Sequence, residues 1–256
     1  MFSTAETHAV SKRPSLDLDG ALPSVLRPEG LVDWPRLLPG LAVDVELSQA
    51  LNSMVQLRAF RQGAAIHRQG QPATLLRAVC EGCVGLGRHA GGPTDALMQS
   101  FQLKRTVRSP AWLDLHTAWL GTTYDLDACA TSASVTLVLE WPMAVARGWL
   151  RRQPEVLEAL MRALGGQMRE VQDALHDLST KDALGRVAAW LMRRAGPHAR
   201  LEIGERKRDV ASQLAISPET FSRILRQLAR RRLVSVDGYE VALLDRIGLM
   251  RLARDF

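Results

Sequence analysis

Positions 219–223 read Glu-Thr-Phe-Ser-Arg. A carboxylate, a hydroxyl and a guanidinium thus fall within five residues. Arg223 carries a planar fork that can donate two parallel hydrogen bonds to O6 and N7 of guanine. Glu219 can accept from the cytosine amino group, and Ser222 can donate or accept. Helical spacing places 219, 222, 223 and 226 on one side of an element. The pattern points to base reading in a major groove, with Glu219, Ser222 and Arg223 as the reading set. Around them stand Lys207, Ser217, Thr220, Arg226 and Arg230, with Arg206, Arg231 and Arg232. Such groups meet phosphates, which position a protein without reading sequence.

Other reactive side chains are few. The chain has three cysteines, Cys80, Cys83 and Cys129, an odd number that builds no disulfide framework. Cys80-Glu-Gly-Cys83 spans a turn signal. It can be a strained disulfide, a metal site completed by outside ligands, or two small buried residues flanking a turn. His67, His89 and His116 are separate. No carboxylate–histidine set has ligand spacing, so no metal site and no catalytic residue is expected, and the chain reads as a non-enzyme.

Residues 207–226, which carry this set, fit a helix-turn-helix. Val210, Leu214, Ile216, Phe221 and Ile224 are its interior, and Ala211 is small where the second helix crosses. Ser217 can cap that helix, and Pro218 suits its first position. Ala215 stands where the turn often has glycine. Leu233–Leu243 alternates around Asp237-Gly238, a hairpin signal that supplies a wing. A short helix from Asp245 closes the domain. The charge agrees with this placement. Of a net +6, residues 181–256 hold 16 basic and 9 acidic groups, and residues 206–232 hold 8 and 2. An anionic partner for this domain follows, double-stranded DNA rather than a membrane.

Upstream, Leu157, Met161, Leu164, Met168, Val171, Leu175 and Leu178 recur at alternating spacings of four and three. This heptad seam favours a narrow contact with an identical helix, hence a homodimer. Gly165-Gly166 lies inside it, where a partner backbone comes close or the helix bends. A second helix is expected over Asp182–Arg194, with a hinge near Ser179-Thr180. From Val55 to Glu140, short apolar runs alternate with turn signals, including Leu75–Cys80, Cys83–Leu86, Ala96–Phe101 and Ser134–Glu140. They predict an all-β roll. A helix is expected over Val45–Met54. Residues 1–40, with five prolines, read as a mobile leader. The domain reading is leader 1–40, β-roll 41–150, dimerisation helix 151–179 and winged helix-turn-helix 180–256, an α+β chain. With neither a long apolar span nor a signal segment, it is expected in the cytoplasm.

The order of roll, long helix and winged helix-turn-helix resembles the Crp/Fnr family of bacterial transcription regulators. So do Phe60–Gly70, the Leu75–Leu86 stretch with Glu81-Gly82, and Glu219-Thr-Phe-Ser-Arg223, which is similar to the E-x-x-S-R motif of the Fnr branch. The resemblance implies a dimer on a palindrome with TTGAT-like half-sites, with RNA polymerase as a further partner. In the cyclic-AMP branch the recognition helix carries Arg-Glu, and here Pro218 replaces that arginine. A cyclic-nucleotide pocket would need Gly-Glu and Arg-Ser or Arg-Thr, which 111–124 lacks, so cyclic AMP is not expected. An iron–sulfur cluster needs four thiolates and is not expected either. His116 stands where haem-bearing members place a ligand, which makes His116, Cys80 and Cys83 the candidate sensor residues and haem the remaining cofactor. The alternatives are a haem- or redox-sensing roll whose effector controls DNA binding, and a ligand-binding or metalloenzyme roll with an incidental basic tail.

Overall fold

The structure is a computed structural model that describes residues 25–26, 30–89, 101–203 and 206–254. In chain order its elements begin with β1 (Val25–Leu26), α1 (Trp34–Leu37), α2 (Val45–Met54), β2 (Gln56–Phe60) and β3 (Ala65–His67). Next come β4 (Leu75–Glu81), β5 (Cys83–His89), β6 (Phe101–Arg108), β7 (Ala111–Leu113), α3 (Leu115–Leu120), β8 (Asp127–Ala130) and β9 (Thr136–Pro142). Then follow α4 (Met143–Leu150), α5 (Pro154–Thr180), α6 (Ala183–Ala195), β10 (Arg200–Glu202) and α7 (Lys207–Gln213). The last are α8 (Pro218–Arg230), β11 (Val234–Asp237), β12 (Glu240–Leu243) and α9 (Arg246–Arg254).

Two antiparallel sheets make the roll, ordered β1-β2-β9-β4-β7 and β3-β8-β5-β6. Phe60, Val79, Val84, Leu86, Leu113 and Val138 fill the space between them. The other face of the first sheet is covered by α1, α2, α4 and the start of α5, through Leu57, Leu76, Leu137, Leu139, Trp141 and Leu160. Strand β9 is therefore apolar on both faces, which explains why its sequence is the most β-prone in the chain. Its one charged residue, Glu140, lies opposite Arg77 in the register. It accepts from Arg77 Nε at 2.9 Å and forms an ion pair with Arg58, whose Nε stands 2.8 Å away, so its charge is matched twice. Helix α2 has the expected bounds, with Asp44 accepting from the Leu47 N–H at 2.8 Å.

Cys80 and Cys83 flank a corner that carries the chain from the first sheet to the second. Gly82 adopts φ +83°, and a Cβ there would lie 2.8 Å from Thr136 Oγ1. Glycine is required on both counts.

Residues 25–26 and 30–40 are not a mobile leader: Val25 and Leu26 pair with Arg58 and Leu57 of β2. Trp34, Leu37 and Leu38 are among the most buried side chains. Trp34 Nε1 donates to Asn52 Oδ1 at 2.8 Å, and Trp112 Nε1 donates to the Leu37 carbonyl at 2.7 Å. Burying two indoles with their N–H groups satisfied anchors this segment to the roll. The rest of the expected leader, 1–24 and 27–29, lies outside the described residues, as does all of 90–100, with the start of the expected Ala96–Phe101 strand.

Helix α5 runs 27 residues, about 40 Å. Val156, Ala159 and Leu160 face the roll. The C-terminal domain has its own core, built from Val187, Leu191, Val210, Phe221, Leu228 and Val241 among others. No described helix is long and apolar enough to cross a membrane.

Candidate nucleic-acid interface

Helices α7 and α8 form the helix-turn-helix. Val210, Ala211, Leu214, Phe221 and Ile224 are buried as the spacing required, and Ile216 packs at the edge of their cluster. Trp190 of α6 meets the Phe221 ring edge-on, 6.1 Å between centroids. The Ser217 hydroxyl accepts from the Thr220 N–H at 3.1 Å and Pro218 occupies the first turn, which stabilises the start of α8 by about 1 kcal/mol. The turn itself is strained. Ala215 stands at φ +50°, in the left-handed region where a Cβ is penalised. Arg186 Nε donates to the Leu214 carbonyl at 3.0 Å, pinning this turn to α6.

On the opposite face of α8, Glu219, Arg223, Arg226, Gln227 and Arg230 line one open depression. Four of the sequence-picked residues thus stand together. Gln227 was missed, although its spacing of four from Arg223 places it on the same face. Ser222 is half-buried beside this row, and its carbonyl accepts from Arg226 Nε at 3.3 Å. Thr220 is half-buried, and its hydroxyl contacts Ser217 Oγ at 3.2 Å. Lys207 is exposed on the first turn of α7. The Glu219 carboxyl is held below its ordinary range by the Ser217 hydroxyl and its own backbone N–H, so it is a committed anion and acceptor.

The wing is a three-stranded sheet ordered β10-β12-β11. Asp237 pairs with Glu240, so the two-residue loop is Gly238-Tyr239 rather than Asp237-Gly238, with Gly238 at φ +58°. Tyr239 is exposed at its tip.

Asp177 marks the junction of α5 and α6. Its buried carboxylate takes Lys181 Nζ at 2.5 Å and also pairs with Arg193. Burial pushes its pKa up, but the bonds from Lys181 and Arg193 outweigh this and hold it below the usual value. Along α5, Met168, Val171 and Leu175 are 63%, 54% and 66% exposed, and Met161 and Leu178 are exposed too. Leu157 and Leu164 are half-buried. The heptad seam is thus an uncovered apolar stripe on the single chain. Gly165 and Gly166 have nothing within 4 Å of where a Cβ would stand, and the helix continues through them.

The candidate sensor residues do not converge. His116 is exposed on α3 with Nε2 at 3.2 Å from Thr117 Oγ1. Cys80 and Cys83 are free thiols. Burial pushes Cys80 up to about 12, which suppresses its thiolate. Cys83 Sγ accepts from Arg108 at 3.3 Å. Among the described residues no group of three or more His, Cys, Asp or Glu could hold a metal ion. Inside the roll, His67 stacks on Tyr124 at 3.6 Å, and Tyr124 Oη accepts from Arg77 at 3.0 Å. Burial and then Arg77 push His67 down to about 3, so it is neutral at physiological pH.

Residues 185–252 match the family described as Crp-like helix-turn-helix domain. The chain is 26% identical over 217 residues to a CRP-like cAMP-activated global transcriptional regulator of Mycobacterium tuberculosis, covering 80% of this chain and 91% of that one. It is 26% identical over 230 residues to the transcriptional activator protein anr of Pseudomonas aeruginosa, covering 86% and 89%. Its fold is similar to that of FixK2 from Bradyrhizobium japonicum, with a TM-score of 0.66, 21% identity and coverage of 79% and 98%. It is also similar to a CooA mutant from Carboxydothermus hydrogenoformans, with a TM-score of 0.66, 16% identity and coverage of 85% and 95%. Residues 185–252 are therefore similar to a Crp-like helix-turn-helix domain, carried on a chain whose fold is that of FixK2 and CooA.

Proposed function

We propose that this chain is a sequence-specific DNA-binding transcription regulator that acts as a homodimer in the cytoplasm, with RNA polymerase as a further partner. The observation that carries the reading is the capped, basic face of α8. Arg223 and Glu219 read base edges there, with Ser222 beside them. Lys207, Ser217, Thr220, Arg226 and Arg230 meet the phosphates. The E-x-x-S-R likeness of 219–223 favours a TTGAT-like half-site. The exposed seam on α5 supports pairing of two copies, which turns one half-site into a palindrome. Leader, roll, dimerisation helix and DNA-binding domain then divide near 24, 150 and 180.

The test is a gel-shift titration of Arg223→Ala against specific and scrambled duplexes. Loss of one bidentate pair costs about 1–3 kcal/mol of discrimination, roughly 5- to 150-fold. Salt-sensitive non-specific binding stays. An unchanged site preference in the variant refutes the assignment of Arg223.

A further inference from the structure

A cleft of about 690 Å³ lies outside the roll, where the roll, α5 and the DNA-binding domain meet. Its charged lining is one-sided. Arg36 of α1, Arg105 and Arg108 of β6, Arg162 of α5 and Arg194 of α6 face a single carboxylate, Glu170. This happens in a part of the chain whose sequence is close to neutral. Residues 1–180 hold 17 basic and 18 acidic groups, so four of the five arginines come from a region with no net positive charge.

Three of the arginines are held in place by the fold. Arg162 Nε donates to the Pro39 carbonyl at 2.9 Å and its Nη1 donates to Glu158 Oε1 at 2.5 Å. Arg105 reaches Asp114 Oδ1 at 3.4 Å, and Arg108 donates to Cys83 Sγ at 3.3 Å. Each guanidinium has five N–H donors, so the contacts of Arg162 and Arg105 orient their forks without exhausting them. Trp190, Pro110 and Ala111 add apolar wall, and Gln213 adds a polar end. Planar forks match phosphate oxygens bidentately, and a volume of this order suits a small organic molecule.

The cleft also stays open in a dimer. Its α5 lining is Arg162, Ala163, Gly166, Gln167 and Glu170. These occupy the flank and back of the heptad whose front is Leu157, Met161, Leu164, Met168 and Val171. A partner helix seated on the seam flanks Gln167 and leaves Arg162, Ala163, Gly166 and Glu170 uncovered.

We propose that this inter-domain cleft is a binding site for a small phosphorylated metabolite, its phosphate held by the arginines and its organic part against Trp190. Such a ligand would bridge β6 of the roll to α6 and α7 of the DNA-binding domain. At one end of the cleft Gln213 Nε2 already donates to Thr106 Oγ1 at 3.4 Å. A bridging ligand stabilises the arrangement in which it fits, and so shifts the recognition helices toward it.

The test is isothermal titration of the full chain, without DNA, with AMP, pyrophosphate and citrate at fixed ionic strength. AMP or pyrophosphate is expected to bind saturably at one per chain, more tightly than citrate. The double variant Arg36→Gln/Arg194→Gln is expected to weaken binding about tenfold or more. Glu170→Gln, which removes the one opposing carboxylate, is expected to tighten it, a gain that misfolding cannot mimic. Arg226→Gln on α8 leaves it unchanged. The proposal is overturned if neither phosphate probe saturates below about 1 mM. It is also overturned if citrate binds equally well, if the cleft variants bind like the parent, or if Arg226→Gln abolishes binding. Because no arm uses DNA, failure here leaves the regulator reading standing, and loss of the regulator reading leaves this site to be judged by titration alone.

Discussion

Leu175→Asp on α5 removes one seam residue and places a charge there. Leu175 is 66% exposed on the single chain, so about two thirds of its side chain is available to be covered by a partner. Full burial of a leucine is worth about 1.5–3 kcal/mol, which gives about 1–2 kcal/mol for this fraction. A dimer holds two copies, and each loses the contact, for about 2–4 kcal/mol in total. That raises the dimer dissociation constant by about 30- to 700-fold, before the repulsion of two facing carboxylates is added. The single chain should be little affected. The position is exposed, and aspartate in a helix costs only about 0.5 kcal/mol more than leucine. Sedimentation velocity over a concentration series reads the constant, and circular dichroism checks the helix. A parent chain that is monomeric at tens of micromolar refutes the seam as a dimer contact. So does a variant that dimerises like the parent.

Other expectations follow from the DNA-binding domain and its hinge. Asp177→Asn breaks the bonds to Lys181 and Arg193 and should cost about 1–3 kcal/mol at pH 7 in urea unfolding. The Asp177 pKa is depressed in the folded chain, so its contribution is present above the unfolded value of about 3.9 and is lost as pH falls further. The gap between parent and variant should therefore close below about pH 4, and a gap that persists at pH 2 contradicts the assignment. Ala215→Gly relieves a left-handed alanine at φ +50°. The strain of about 1–2 kcal/mol, less the glycine entropy cost of about 0.5–1 kcal/mol, leaves a net gain of roughly 0.5–1 kcal/mol. A lower melting temperature in that variant contradicts the strain.

The parts most legible in the sequence were those fixed by local periodicity. The interior of the helix-turn-helix, the Ser217 cap and the exposed apolar stripe of α5 all depend on residues within a turn or two of one another. Gln227 was legible by the same spacing and was overlooked. The Gly238 turn was seen one residue early, because sequence marks a hairpin better than its register. Helix α4 escaped notice because it follows β9 directly through Pro142, with no cap hydrogen bond to signal its start. The anchoring of Trp34 to Leu38 was hidden for a different reason. Its partners are distant, with Trp112 lying 75 residues from Leu37. The arginine cleft was hidden in the same way, since Arg36, Arg105, Arg162 and Arg194 share no spacing and meet only after folding.

The central claim is that two copies read a symmetric DNA site through α8. Its most direct test is selection of binding sequences from a random duplex pool by the full chain, followed by footprinting of the enriched site. The account expects a palindrome whose half-sites are centred about 34 Å apart, one helical turn, with protection at both. Enrichment of no common sequence, or of a single half-site protected once, contradicts it.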